Sequence, residues 1–382
     1  MGTISHRHHG GNLTELAALT GLPAENILDF SANINPFGPP PWLSEALDEG
    51  SRAITQYPDP DATRARQAAA ERFQTSMESF VFADGADSLL FALPRALGVK
   101  ACLTMLPTYS GYKRGVLRAG VSELVLNLDP GENFSLASEK TLFAVIQALK
   151  DMTARNQRCA VFIGAPNNPA GGIMPRESIL TLASSFAQHY FIIDESFIEF
   201  LPDQEALTMI GRRVPNIITV RSMTKTFAVP GARLGFMYAD PKICEAVRAE
   251  LPAWPVSSFA EAIAVHALRD TAFLPAAREL LRTEADWFIS RLAESGAFRI
   301  IHGDSAGTSA SRNGANFLLL NFFQDEFGLK VSSSLLDRGI AVRQFSPEEG
   351  LSKRYMRIAI KNRIDNSRFL DALAAVMQEN QP

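Results

Sequence analysis

The sequence predicts an α/β protein with a mostly parallel sheet of seven strands, followed by a smaller C-terminal α+β domain. Three observations predict it. Between about Trp42 and Leu251, short apolar runs alternate with helical patterns, as in a parallel sheet covered by helices. After Pro255 the alternation stops, and a long helical stretch leads into short strands. At 382 residues the chain is long enough for two domains and a large core.

Taken in order, Gly10 to Pro41 carries one helical pattern, Leu13 to Leu19. It ends in the turn-forming cluster Asn35-Pro36-Phe37-Gly38-Pro39-Pro40-Pro41. Residues 1–41 are therefore expected to form an arm, 42–255 a large domain and 256–382 a small one. Strands are expected at Phe80-Ala83, Ala101-Met105, Glu123-Leu128, Ala160-Gly164, Phe191-Ile193, Ile217-Val220 and Gly235-Tyr238, with helices such as Leu89-Leu97 and Ser178-Gln188 between them. Beyond Pro255, one helical stretch is expected from about Ser258 to Ser295. Strands follow at Phe317-Phe322, Ile340-Arg343 and Tyr355-Ile360, with helices at Val331-Arg338 and Ser367-Gln378.

Composition excludes several function classes. A hydrophobic share of 46% with 20% charged residues is that of a soluble globular protein. A net charge of −4 gives no electrostatic case for nucleic acid or an anionic membrane. No apolar run reaches about 18 residues, so no membrane span is expected. The N-terminus, with His6, His8 and His9, is polar and lacks a signal-peptide core. Cys102, Cys159 and Cys244 are far apart and show no metal-type spacing, so no metal and a cytoplasmic setting are expected.

The chemistry concentrates in Ser222-Met223-Thr224-Lys225-Thr226-Phe227-Ala228-Val229-Pro230-Gly231-Ala232-Arg233, after the apolar strand. A lysine past a strand end can form a Schiff base. The hydroxyls of Ser222 and Thr224 and the guanidinium of Arg233 can hold a phosphate. Together they describe a pocket for pyridoxal phosphate, a cofactor bound through lysine that acts as an electron sink.

Gly85, Ala86 and Asp87 open a helix after a strand, so their backbone N–H groups suit a phosphate, although a plain N-cap by Asp84 or Asp87 also fits. Asn168 lies in a loop at a strand's C-terminal end, where ligands bind in open α/β sheets. Asp194 ends a very apolar strand, where a carboxylate needs a partner such as a pyridinium nitrogen. Tyr109 stands where a ring could stack on a flat cofactor, and a core or turn tyrosine fits the segment nearly as well. Arg357 shares a strand face with Tyr355 and Ala359, opposite Met356 and Ile358. Arg357 and Arg343 can grip carboxylate or phosphate, or face solvent from a sheet.

These motifs, in this order, resemble the fold-type I aminotransferase family of pyridoxal-phosphate enzymes over nearly the whole chain. The resemblance implies a fold-type I transferase fold, with Lys225 as the Schiff-base lysine, Asp194 as the pyridinium partner, Asn168 on the ring oxygen and Tyr109 stacked on the ring. It implies that Gly85, Ala86, Asp87, Ser222, Thr224 and Arg233 hold the cofactor phosphate. Tyr57 would reach a neighbouring subunit's cofactor, which implies a homodimer with shared active sites. Arg357 would take the substrate carboxylate.

Within the family, His9-Gly10-Gly11-Asn12 and Leu28-Asp29-Phe30-Ser31-Ala32-Asn33-Ile34-Asn35-Pro36-Phe37-Gly38 resemble the threonine-phosphate decarboxylases of cobalamin biosynthesis. Phe197 stands where most aminotransferases carry a tyrosine, again as in the decarboxylase branch. Ala83-Asp84-Gly85-Ala86-Asp87 departs from the usual Gly-Asn-Gly. The branch implies decarboxylation of a small phosphorylated amino acid, L-threonine O-3-phosphate, to (R)-1-amino-2-propanol O-2-phosphate. Substrate-binding residues would be His9, Asn33, Asn168, Arg343 and Arg357. Serine-phosphate decarboxylation and histidinol-phosphate transamination are the alternatives.

Overall fold

The computed structural model describes residues 10–302 and 315–379. A strand with apolar side chains at successive positions cannot leave either face in water, and the seven runs accordingly form one sheet whose inner strands are buried on both sides, with the Ser122–Asn127 strand at a partly exposed edge. Numbering begins in the arm with β1 (Leu28–Asp29). The sheet itself comprises β2 (Phe80–Ala83), β3 (Ala101–Leu106), β4 (Ser122–Asn127), β5 (Cys159–Gly164), β6 (Tyr190–Asp194), β7 (Ile217–Ser222) and β8 (Gly235–Tyr238). Their spatial order is β2-β8-β7-β6-β5-β3-β4. Six strands run parallel; β8 pairs antiparallel with both neighbours. Along β5, Cys159, Val161 and Ile163 enter the core on one face, while Ala160 and Phe162 enter the core on the other.

The later part of the chain contributes β9 (Arg299–Ile301), β10 (Phe317–Asn321), β11 (Ile340–Ala341), β12 (Arg343–Gln344) and β13 (Tyr355–Ala359). A four-stranded antiparallel sheet, β12-β13-β10-β9, is covered by helices Asp325–Asp337 and Arg363–Glu379, whose core includes Leu320, Leu335, Met356 and Phe369.

Three details differ from the sequence expectation. The helical stretch from Ser258 divides into Ser258–Arg269 and Phe273–Ala293, because Asp270 turns the chain by accepting from the N–H groups of Ala272 and Phe273. The first of these helices packs on helices Leu43–Arg52 and Thr63–Phe73, beside the large sheet's core. The strand expected at Ile340-Arg343 splits at Val342. β11 pairs parallel with β1, whereas β12 pairs antiparallel with β13. β9 has three residues, too short for a period to show.

This topology sets the site. The six parallel strands end at one edge of the sheet, and the turns after β2, β3, β5, β6 and β7 meet there. The β1–β11 pairing brings Ser31 and Asn33 to the same edge, and β12 and β13 bring Arg343 and Arg357.

Candidate active site

A cleft of about 260 Å³ opens at this edge, and its wall draws on the arm, the large sheet and the C-terminal sheet. Lys225 projects from the turn after β7. Asn35 secures that turn: its N–H donates to the Lys225 carbonyl (2.9 Å) and its side-chain amide donates to the Thr226 carbonyl (2.8 Å). The amine lies 5.0 Å from the Phe197 ring centroid. Burial lowers the Lys225 pKa, and the Asp194 and Asp87 carboxylates only partly oppose this.

Asp194 is buried at the end of β6. Its Oδ1 accepts from the Ser196 N–H (2.9 Å) and its Oδ2 from the Tyr112 hydroxyl (2.8 Å). Tyr112 is itself buried and stacked on Phe162, and burial followed by the Asp194 charge raises its pKa well above the usual phenol value. Tyr109 lines the cleft, and its hydroxyl donates to Asp87 (2.9 Å). On the far side of the strand ends, the neighbours of Asp194 and Ser222 form a buried ion pair. Arg221 donates to Glu195 Oε2 through Nε (3.0 Å) and Nη2 (2.9 Å).

One end of the cleft is a cradle for an anion. Gly85 caps helix Ala86–Ala96 with φ +109° and no side-chain hydrogen bond, so no side-chain cap takes the amides of the first turn. The alternative of a plain aspartate N-cap is thus not what the structure holds. A Cβ on Gly85 would stand 2.7 Å from Arg233 Nη2, and one on Gly235 would stand 2.5 Å from the Ala86 nitrogen. Glycine at both positions lets Arg233, the β8 start and the helix start close together. The Ser222 and Thr224 hydroxyls lie 2.7 Å apart on the same wall.

The other end is cationic. Arg357 sits directly opposite Arg343 in the β12–β13 register, and like charges in that position repel. Arg357 donates to Asn168 Oδ1 (2.7 Å) and to the Ser31 carbonyl; its Nε is buried without a partner. Burial, then the Arg343 charge, pulls the Arg357 pKa down to about 9. Asn33, 5% exposed, also keeps a buried Oδ1 without a partner. Arg343 donates to Glu349 and to the Gln344 carbonyl.

The cleft therefore gathers Gly85, Ala86, Asp87, Tyr109, Asn168, Asp194, Ser222, Thr224, Lys225, Arg233, Asn33, Arg343 and Arg357, all expected from the sequence. Tyr57 lies outside it, 80% exposed and stacked on Trp254 with centroids 4.4 Å apart. His9 falls outside the described residues, although Gly10 lines the cleft and packs so tightly on Ser31 that a Cβ there would meet its carbonyl at 2.1 Å. Tyr112, Ser31 and Glu349 were not among the expected site residues. Among the described residues no cluster of His, Cys, Asp or Glu could hold a metal, and no helix is long and apolar enough to cross a membrane.

The sequence profile of aminotransferase class I and II matches residues 25–373. The chain belongs to this family. As a class I and II aminotransferase-family protein it has the fold-type I architecture and uses pyridoxal phosphate. The family protein is 30% identical over 371 residues to the adenosylcobalamin biosynthesis bifunctional protein CobDQ of Leptospira interrogans, covering 96% of this chain but 41% of that protein. It is 29% identical to the threonine-phosphate decarboxylase of Salmonella typhimurium over 97% of this chain and 96% of that one. The crystal structure of histidinol-phosphate aminotransferase from Sinorhizobium meliloti in complex with pyridoxal-5'-phosphate superposes with TM-score 0.80 at 20% identity. It covers 99% of this chain and 100% of that one.

The residues present fit the cofactor. A cradle that a single Cβ would fill, open helix-start amides, two hydroxyls and Arg233 suit its phosphate, and a buried carboxylate suits its ring nitrogen.

Proposed function

We propose that this enzyme decarboxylates a phosphorylated amino acid, L-threonine O-3-phosphate, to (R)-1-amino-2-propanol O-2-phosphate. One observation carries the proposal: beyond the cofactor cradle with its single Arg233, the cleft holds a separate pair of arginines, Arg343 and Arg357, for a substrate with two anionic groups. Phe197, 5% exposed beside Lys225, supports the same branch because it offers the ring oxygen no hydroxyl. The resemblance to the Salmonella typhimurium enzyme is further support.

When bound, the cofactor would supply an electron sink for the pair left at Cα by bond cleavage. The roles proposed for the protein follow from its geometry. Lys225, its pKa lowered by burial, holds an amine with a larger neutral fraction, suited to attach the cofactor and later to deliver a proton to Cα. Asp194, fixed by Tyr112 and Ser196, keeps the proton on the ring nitrogen. Asn168 has Oδ1 engaged by Arg357, which leaves Nδ2 to donate to the ring oxygen. Tyr109 covers the ring. Arg357 Nε takes the substrate carboxylate, and Arg343 with Asn33 takes the phosphate. With the carboxylate held by Arg357, CO₂ would leave with its C–C bonding pair remaining at Cα, where Lys225 would deliver the replacing proton. Positioning of this kind can be worth several kcal/mol, roughly 7–11 in the best cases.

We also propose a homodimer in which Tyr57 contributes to the partner's cofactor site. Its exposure, stacked on Trp254 (48% exposed), leaves an aromatic pair available for such a contact.

The test is to incubate cofactor-loaded protein with L-threonine O-3-phosphate and follow CO₂ and aminopropanol phosphate. Parallel reactions contain L-serine O-phosphate, or histidinol phosphate with 2-oxoglutarate. CO₂ release without a keto acid is the expected result, and relative rates name the preferred phospho amino acid. Glutamate formation without CO₂ would show an aminotransferase instead. Lys225→Ala should abolish the cofactor absorbance band at roughly 410–430 nm.

A further inference from the structure

Among the described residues the cleft wall carries four cations, Lys225, Arg233, Arg343 and Arg357, and three carboxylates. Two of the carboxylates have a phenol each: Asp87 accepts from Tyr109 and Asp194 from Tyr112. The third, Glu349, is instead ion-paired to Arg343, one of the two arginines proposed for substrate. The side chains of this pair are 13% and 19% exposed, so water screens it only partly.

Glu349 is fixed and Arg343 is the movable partner. Glu349 closes the turn Pro347–Glu349 through a capping box, in which its Oε2 accepts from the Ser346 N–H (3.1 Å) and the Ser346 side chain accepts from the Glu349 N–H. The next residue, Gly350, has φ +82° and approaches the turn after β3 so closely that a Cβ would stand 2.7 Å from Leu106 Cβ. Arg343 is held beyond this pair by the Gln344 carbonyl and by the Phe345 ring, 4.9 Å from its guanidinium, at the end of a long flexible stem.

We propose that Glu349 is an intramolecular competitor for Arg343, a positioning residue that holds this arginine between turnovers and speeds departure of the phosphorylated product. The inference rests on the reading of Arg343 as a phosphate ligand. Decarboxylation removes only the carboxylate, so the product leaves with its phosphate intact and that grip must be released. A carboxylate fixed beside the arginine retakes it as the phosphate moves away. It also limits repulsion between the facing guanidinium groups of Arg343 and Arg357 in the absence of substrate.

The experiment uses cofactor-loaded wild-type protein, Glu349→Gln, Arg343→Gln and the double variant, titrated calorimetrically with inorganic phosphate and with aminopropanol phosphate. Glutamine preserves the capping box, which keeps the turn intact. Glu349→Gln is expected to bind both ligands about five- to tenfold more tightly. In steady state its KM and kcat should fall together, because release slows. In the Arg343→Gln background the same substitution should have little effect on either affinity. Unchanged or weaker phosphate binding in Glu349→Gln overturns the competitor role, weaker binding being what a carboxylate that merely orients Arg343 would give. If Arg343→Gln alone leaves phosphate binding unchanged, the assignment of Arg343 to phosphate falls instead.

Discussion

Tyr112 and Lys225 show what burial does to single groups at this site. The Tyr112 hydroxyl is the side-chain donor to Asp194 Oδ2, so Tyr112→Phe leaves a buried carboxylate oxygen short of a partner, at a cost of about 1–3 kcal/mol. The variant should fold, and the pH titration of the cofactor absorbance should shift if Asp194 sets the charge on the ring as proposed; an unshifted titration would show that Tyr112 only fills space. Lys225 titrates below a free lysine because it is buried. In the cofactor-free protein the unfolded state therefore binds the proton more readily. Stability should rise with pH through the window between the lowered folded value and the usual 10.5. Lys225→Met should unfold at a higher temperature than wild type at pH 7, with the gap closing as pH approaches 10; an equal gap at both pH values would contradict the sign. Lys225, Asp194, Asn168 and Arg233 were legible in the sequence because each ends or follows a strand, a local relation. Tyr112 was not, because its partner is 82 positions away. Nor was Glu349, whose meaning depends on where Arg343 falls in the register of β12 and β13.

At the scale of elements, the cradle is made by a turn and two glycines. Gly85→Ala places a side chain at φ +109° and a Cβ 2.7 Å from Arg233 Nη2, so it must displace that guanidinium. Cofactor affinity should fall about tenfold or more, since charge-assisted phosphate contacts are the strong ones. A fluorescence titration of cofactor-free protein measures this, and an unchanged Kd would mean the phosphate is held elsewhere. The inner strands of the large sheet could be read from the sequence because burial on both faces leaves nearly uninterrupted apolar runs, whereas the edge strand β4, with exposed positions, shows only through Leu124, Val125 and Leu126. The C-terminal sheet was harder to read. β9 has three residues, and the chain from Ile340 to Gln344 serves two different sheets on either side of Val342. Strand propensity locates such a segment without revealing which neighbour each half will find.

At the scale of the whole molecule, the proposed shared site makes a prediction that no isolated subunit can satisfy. If Tyr57 completes the partner's cofactor site, Tyr57→Ala and Lys225→Ala proteins should each be poorly active, while dimers formed by mixing them should regain part of the activity. Sedimentation of the wild type should give twice the 41.7 kDa of one chain. No recovery on mixing, with dimers present, would separate Tyr57 from the partner's chemistry. In one chain Tyr57 is an exposed aromatic stacked on Trp254, so the sequence pattern of a single chain marks it no more clearly than any other surface aromatic.

The bond from Arg357 to the Ser31 carbonyl joins residues 326 positions apart, and β1 has no partner until β11 exists. On a ribosome adding ~5–20 residues per second, the arm emerges roughly 16–65 s before Arg357 does. The large sheet can assemble on that schedule, but the substrate end of the cleft cannot. Once β8 has been made, the nascent chain holds the residues of the cofactor cradle without Arg357, the arginine proposed for the carboxylate. If Arg357 grips substrate as proposed, competence waits until the chain has grown past β13, and chains truncated shortly before residue 357 should colour with cofactor yet fail to turn over.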